Sequence, residues 1–600
     1  MAIPDRKLIG ELVNREECID DGTLLLEPMW HPDFETVIRS NIARAMRNWS
    51  FDSYEQFHSW SVKQPTEFWS RVLDALQIRF AQPPREILDN DKSGYETAWL
   101  PGARLNIVES CFQAVPDATA ILCGREDGAI LKVTYRELRN EVNQVANGLR
   151  HLGVKPGDAV ALFMPMHARS VAIYLGSILA GCVVISIADS FSREQVLLRL
   201  QIGNAKVVFT SGFVQRNGKE IPLYTRVADA GLPVVVADDV APRNLTLQTG
   251  DMLWSSFRGS EIFDDVVHAD ATSTINVLFS SGTTGEPKAI PWDHTTPIRS
   301  ASDGHFHQDI HPGDVVAWPT NFGWMMGPWL TFATLINHAT IALFDGAPSG
   351  EAFGRFVQDA AVNILGVVPS MVCRWRQTRC MESLDWSAIR SFSSTGECSN
   401  PTDMRYLSQL AGGKPVIEYC GGTELGGGYI SSTVVQPNIP SAFSTPVLGS
   451  DFVILGDDDL PSTVGEAYLI APALPNGYFR ALGRTDDAIN LGGIKVGSAE
   501  LERAIMEVRH MSEVAVIGVP QRYGGPNRLV ACIGASAEVR PDKELLKKQI
   551  QEMISDKLSP LFKLDDVFIC AKLPRTASNK VMRRELRSMY EQESGNNARC

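Results

Sequence analysis

The 600-residue chain contains no apolar run approaching the roughly 20 residues that span a bilayer, and its opening, MAIPDRKLIG, lacks the apolar core of a secretory signal. A membrane-spanning or exported protein is disfavoured, and a soluble intracellular one is expected. Paired cysteine spacing is missing too. Eleven cysteines are scattered from Cys18 to Cys600 with no Cys-x-x-Cys, which argues against a disulfide frame or a zinc site and for reduced thiols used as core fillers. Positive charge is scarce: the formal net charge is -14, and no basic stripe interleaved with aromatics stands out, so nucleic acid is a poor partner. Internal repeats and long low-complexity segments are also absent.

What is present suits a globular protein of more than one domain. A composition of 44% hydrophobic and 21% charged residues can bury cores, and the length exceeds that of one ordinary core. To about residue 100 the chain is rich in Trp and acidic residues, with helical patches such as FETVIRSNIARAM. From Ala118 the rhythm changes: ATAILC has strand character, and TYRELRNEVNQVANGLRHLG is an amphipathic helix with Thr134 and Glu137 at capping-box spacing and Gly153 at its stop. Strand-like AVALFMPM, helical RSVAIYLGSILAG, strand-like CVVISIA, helical REQVLLRLQIG and strand-like AKVVFTS follow. Such alternation predicts a parallel sheet with crossover helices. VVAWPT, ATIALFD and NILGVVP continue it, GRTDDAINLGGIKVG reads as a linker, and EVAVIGVP, RLVACIGA and a Lys-rich helix make a small α/β domain beyond. The predicted fold class is α/β. A helical N-terminal segment, 1–105, packs on a large domain of parallel or mixed sheets with flanking helices, 106–485, and a small mobile domain, 486–600, follows.

Residues 278–292 read LFSSGTTGEPKAIPW. A strand running into Ser, Gly and Thr presents amides and hydroxyls to one point, as glycine-rich turns do for phosphate oxygens, and a Lys closes the stretch. The Gly-Lys-Ser/Thr ending of a Walker A loop is absent. A flexible surface loop is the competing reading of these residues alone.

The stretch resembles the phosphate-binding signature of the adenylate-forming enzymes, which include acyl-CoA synthetases, adenylation domains of peptide synthetases and luciferases. Further stretches resemble that family's signatures in its order: STGE at 394–397, GGTE at 421–424, GRTDDAINLGGIKVGSAELE at 483–502 and PRTASNKVMRREL at 574–586. Upstream, LPGARLN at 100–106 and RNGKEIPL at 216–223 resemble acetyl-CoA and acetoacetyl-CoA synthetases, while YCGGTELGGG and INLGGIKVGS are similar to plant peroxisomal acyl-activating enzymes.

The resemblance implies an ATP-dependent carboxylic acid:CoA ligase working through an acyl-adenylate, with ATP, Mg²⁺ and CoA. It implies that Ser280, Ser281, Gly282, Thr283, Thr284, Gly285 and Lys288 hold the outer phosphates, that Thr423 contacts phosphate and that Glu424 binds Mg²⁺. Gly396, Glu397 and Glu418 should border the adenine. Lys580 matches the lysine that bridges the attacking carboxylate and the α-phosphate, which requires the small domain to close as a lid. Arg484 should lie near the ribose or α-phosphate, Asp486 at the hinge, Lys495 near the outer phosphates in place of an arginine, and Gly493 along the pantetheine tunnel. Arg216 and Lys219 are candidates for the 3′-phosphate of CoA.

For the acid pocket, Trp324, Met325 and Met326 fall on the lining segment, with a core stripe as the alternative. Gly421 stands where acetate-specific relatives place a Trp, so space is expected there for a medium-chain or aryl acid. Three departures from the family pattern stand out. Asn579 replaces a Gly. Cys420 occupies the place of an adenine-stacking Tyr, with Tyr419 next to it on the opposite face of a strand. The stretch GEAYLIAPALPNGYFRALGR lacks the Thr/His-Gly-Asp whose aspartate grips the ribose. Loss of that contact, worth roughly 1.5–3 kcal/mol, leaves a second reading: a shortened paralogue that binds nucleotide, acyl ligand or a partner without turnover. Adenylation with transfer to a carrier-protein thiol or to oxygen is a third. His305, His307 and His311 lack a completing carboxylate or Cys spacing for a metal and are set aside as loop residues. The ending Ala-Arg-Cys begins like a peroxisomal address but has Cys where Leu is expected, so the localisation is peroxisome or cytoplasm.

Overall fold

Long β-branched runs separated by amphipathic helices leave this chain few options: the runs pair into sheets and the helices cover them. The computed structural model describes residues 27–89, 98–216, 218–238, 245–280, 287–396, 399–455, 460–461, 466–470, 488–491, 494–508, 513–519, 527–534, 542–570, 572–574 and 581–597.

Four helices open the described chain: α1 (Phe34–Arg39), α2 (Asn41–Trp49), α3 (Tyr54–Lys63) and α4 (Pro65–Ala75). Trp49, Phe57, Trp60 and Phe68 form an aromatic cluster that reaches Phe306 of the main body, and the Ser61 hydroxyl accepts the Gly449 N–H. These helices therefore pack on a larger body.

That body contains two large sheets. Strands β1 (Thr119–Arg125) and β2 (Ile130–Thr134) form an edge hairpin, followed by α5 (Tyr135–His151). The Thr134–Glu137 capping box is present in both directions, and Gly153, at φ +77°, follows the helix end. Next come β3 (Ala159–Phe163), α6 (Ala168–Leu179), β4 (Val183–Ile187), α7 (Arg193–Ile202) and β5 (Ala205–Thr210). A small hairpin, β6 (Phe213–Arg216) and β7 (Lys219–Pro222), precedes β8 (Val234–Val236) and β9 (Met252–Leu253). Then β10 (Thr274–Ser280) turns back as β11 (Lys288–Asp293) and leads into α8 (Thr296–Phe306). Among the described residues the first sheet has the order β9-β8-β5-β3-β4-β10-β11, parallel throughout except for the β10–β11 pair.

The second sheet takes β12 (Val315–Ala317), β13 (Thr340–Asp345), β14 (Ile364–Val367), β15 (Ser391–Ser394), β16 (Val416–Gly422), β17 (Gly427–Ser431) and β18 (Thr445–Pro446), with α9 (Met326–Ile336) between the first two. Its order is β18-β17-β16-β15-β14-β12-β13-β1-β2, with antiparallel hairpins at both edges of a parallel centre. The largest hydrophobic cluster includes side chains from both sheets and the N-terminal helices, among them Val160, Ile341, Phe57 and Trp329.

A separate core lies toward the C-terminus. It is built on α10 (Ser498–Ile505), β23 (Val514–Val519), β24 (Arg528–Gly534), α11 (Lys543–Lys557) and β25 (Leu564–Cys570), after the short hairpins β19 (Asp451–Leu455) with β20 (Glu466–Ile470) and β21 (Ala488–Leu491) with β22 (Ile494–Gly497). This small unit meets the large body at the start of α7. The Ser192 N–H and hydroxyl donate to the carbonyls of Leu558 and Lys557, and Lys557 Nζ lies 2.9 Å from Glu194 and 3.2 Å from Glu507. Cys111, Cys182, Cys532 and Cys570 are buried free thiols.

The capping box gives a local test. Thr134→Ala is expected to cost about 1 kcal/mol at the start of α5, read as roughly five-fold faster deuterium exchange of the Glu137 amide with the rest of the helix unchanged.

Candidate active site

The Ser/Thr/Gly stretch lies between two strands. Ser280 ends β10 and faces Lys288, the first residue of β11, across an antiparallel pair. Residues 281–286 of the loop, which include Ser281, Gly282, Thr283, Thr284 and Gly285, lie outside the described residues, as do Glu397, Arg484, Asp486, Gly493, Lys580 and the Lys495 side chain.

Three sequence-distant segments meet beside this hairpin. The first is β11 itself, whose Trp292 is buried. Its indole N–H donates to the Thr423 carbonyl at 2.7 Å, fastening the second segment, the Gly-Gly-Thr-Glu turn between β16 and β17. That bond fixes the backbone and leaves the Thr423 and Glu424 side chains partly exposed. The third is Trp324-Met325-Met326 at the start of α9, all half-buried. Met325 packs on the cluster of Leu278, Ile290 and Trp292, and the Trp324 ring lies 5.6 Å from that of Phe191. The Thr423 carbonyl and the Met325 side chain thus meet at one indole.

The proposed adenine border is built from the ends of β15 and β16. Glu418 pairs with Ser394 in register, accepts a 2.7 Å hydrogen bond from Ser399 and is 3% exposed. Burial pushes its carboxyl up to about 7, against hydrogen bonds that pull it down. Gly396 sits just beyond β15 at φ +92°, where any side chain would be strained.

Some residues sit differently from expectation. A Cβ on Gly421 would lie 2.0 Å from the carbonyl oxygen of Gly427. The space expected there for a longer acid is filled by the backbone of β17, drawn close at a register irregularity between Cys420 and Gly421. Tyr419, by contrast, lies on the face opposite Cys420 as the two-residue period of a strand implies: it is 2% exposed, in the core, with its hydroxyl engaged by Trp329 and Asp303. On the other face, the Cys420 thiol lies 3.3 Å from the Tyr429 hydroxyl, an aromatic residue the motifs did not flag.

Arg216 is also engaged, 3.1 Å from Asp189 and 3.4 Å from Asp345, so a phosphate there would compete with two carboxylates. Lys219 faces it across the β6–β7 hairpin and is exposed. The histidines set aside as loop residues are structural. His305 is on α8 and bonds Asn337, His307 is wholly buried against Leu448 and Ser432, and burial holds their imidazoles down at about 4 and 3.

Sequence comparison agrees with this arrangement. The family model for AMP-binding enzymes matches residues 108–479, that for the acetyl-coenzyme A synthetase N-terminus matches 54–111, and that for the AMP-binding enzyme C-terminal domain matches 500–580. "Probable acyl-activating enzyme 17, peroxisomal" of Arabidopsis thaliana is 42% identical over 637 residues, covering 94% of this chain and 88% of its own. "Hexanoyl-CoA synthase" of Cannabis sativa is 39% identical over 640 residues, with the same coverages of 94% and 88%. Both aligned spans exceed the 600 residues of this chain, so each relative carries residues within the matched region that this chain lacks. Among solved structures, the acetoacetyl-CoA synthetase from Streptomyces lividans superposes with a TM-score of 0.72 at 26% identity, covering 93% of this chain and 94% of its own. The chain belongs to the AMP-binding enzymes, as an AMP-forming acyl-CoA synthetase.

Two outcomes test the local geometry. Gly421→Ala is expected to lower the thermal midpoint in step with a loss of about 1–3 kcal/mol, because the new methyl meets backbone rather than open space. An unchanged midpoint would return Gly421 to the pocket. Glu418 holds its proton to higher pH in the folded chain than in the unfolded one. Its contribution to stability is therefore fully present at low pH and declines as pH rises from the ordinary carboxyl value of 4.5 through about 7. Relative to Glu418→Gln, the parent's thermal midpoint is expected to fall between about pH 5 and about pH 8.

Proposed function

We propose that this enzyme activates a medium-chain or aryl carboxylic acid for transfer to CoA. The acid's carboxylate attacks the α-phosphorus of ATP and pyrophosphate leaves. The thiol of CoA then attacks the acyl carbonyl and AMP leaves. The observation that carries the reading is the meeting at Trp292, on the phosphate hairpin, of the Thr423 carbonyl from the Gly-Gly-Thr-Glu turn and Met325 from the start of α9.

Ser280 and Lys288 would address the outer phosphates together with residues 281–285. Thr423 would contact phosphate and Glu424 would hold Mg²⁺, and the donor set suits the ion: a partly exposed carboxylate on a turn fastened to the phosphate hairpin. The ion's part is to offset the charge gathered on the triphosphate. Gly396, Glu397 and Glu418 would border the adenine, and Tyr429 adds an aromatic surface beside Cys420. Lys580, Arg484 and Lys495 would act from residues 486–600 closing over 106–485 about Asp486. After rotation, Gly493 would line the path of the pantetheine, with Arg216 and Lys219 toward its 3′-phosphate.

With Gly421 filled by backbone, the acid's length is set by Trp324, Met325 and Met326. Their flexible walls suit a chain longer than acetate, in line with the relative named for hexanoyl-CoA. Peroxisomal residence is in line with the location in the names of acyl-activating enzymes 17 and 18.

The test is acid-dependent exchange of labelled pyrophosphate into ATP across acetate, hexanoate and aryl acids, followed by thioester detection with CoA. Exchange is expected with hexanoate or an aryl acid above acetate and is expected to fall roughly 100-fold or more in Lys580→Ala. Folded protein that exchanges with no acid would instead support binding without turnover.

A further inference from the structure

Helix α8 carries Arg299 and Asp303 one turn apart, and their side chains are 0% and 1% exposed. Two charges withdrawn from water are tolerated only where hydrogen bonds replace the lost hydration. Here the replacements converge on one hairpin. Asp303 Oδ2 accepts the Gly428 N–H at 2.7 Å and the Tyr419 hydroxyl at 2.6 Å. Arg299 donates to the Gly428 carbonyl at 2.6 Å, to Leu448 at 3.1 Å and to Ser450 Oγ at 2.8 Å. Both backbone groups of Gly428 are therefore held by one ion pair.

Neighbouring residues of the same helix complete the floor. Ser300 donates to the Gly426 carbonyl at 2.7 Å. A Cβ on Gly426 would lie 2.1 Å from the Thr296 methyl, and one on Gly427 would lie 2.7 Å from Asp303 Oδ2. Thr296, Arg299, Ser300 and Asp303 occupy one face at helical spacing, and the three glycines let β17 settle onto it. The turn that carries Thr423 and Glu424 is thus seated on α8 at its far end and fastened to Trp292 at its near end.

We infer that Asp303, braced by Arg299, is a positioning residue for adenylation: it sets the height of the turn and so where Thr423 and Glu424 stand relative to the phosphate hairpin. This rests on the reading of Glu424 given above. The effect belongs to the first half-reaction, because the two outer phosphates, whose charge the ion at Glu424 would offset, have left as pyrophosphate before the thiol attacks, and only the α-phosphate remains in the acyl-adenylate.

The experiment uses the full chain with Tyr419→Phe, which removes one of Asp303's donors and keeps the ring, with Asp303→Asn, and with Glu424→Gln as reference. Three quantities are read: pyrophosphate exchange at varied Mg·ATP, thioester formation from preformed acyl-adenylate and CoA, and the thermal midpoint. In Asp303→Asn, and to a lesser degree in Tyr419→Phe, exchange is expected to fall about 10- to 100-fold while thioester formation from supplied adenylate keeps the parent's rate. If Asp303→Asn does not fold, Tyr419→Phe decides alone. Exchange at the parent's rate in the folded variants, or equal loss in both half-reactions together with the midpoint, overturns the inference. Full exchange in Glu424→Gln would instead sink the reading of Glu424. Loss there without loss in the other two would sink only the role of Asp303.

Discussion

The hydrogen bond from Trp292 to the Thr423 carbonyl is the constraint on which the rest of the site depends. It crosses from an edge strand of one sheet to a turn at the edge of the other, so two bodies with separate strand orders share one fixed point. The indole is buried and presents its single donor to a carbonyl, leaving both partners satisfied. Because Met325 packs on the same apolar cluster, the turn and the segment that opens α9 are kept in register by one side chain.

The alternation of strands and helices was legible because β-branched runs and capping residues are local signals. The strands at 159–163, 183–187 and 205–210 and the helix from Tyr135 fall where the pattern put them. The phosphate stretch and the Gly-Gly-Thr-Glu turn were legible as motifs, and the two-residue period of a strand correctly set Tyr419 on the face opposite Cys420. Trp292 was read only as the last letter of its stretch, since its partner lies over a hundred positions away. The buried pair Arg299 and Asp303 is not legible in the sequence for a related reason. An i,i+4 pair on a helix usually marks a solvated face, and only the glycines facing it across the fold show that this one is interior.

Gly421 shows how composition can mislead. A glycine where relatives carry a large ring suggests vacancy, yet an absent side chain can equally be filled by a neighbouring main chain. Which of the two applies depends on strand pairing, and here the irregularity beside Cys420 brings β17 onto the residue. The histidines of HFHQDIHPGD teach the converse. Polar and clustered in sequence, two of them are interior fixtures whose hydrogen bonds tie α8 to Asn337 and to the chain near Leu448.

The phosphate stretch is flanked by strand on both sides, with Ser280 opposite Lys288. A helix beginning at such a loop would add the aligned peptide dipoles that make many nucleotide pockets electropositive without any ionised side chain. An antiparallel ribbon has almost no net dipole to lend. On the function proposed above, the polyanion would be held by the loop's amides and hydroxyls together with discrete cations, Lys288 and a divalent ion, and the cations' share would weaken as ionic strength rises and counter-ions screen them.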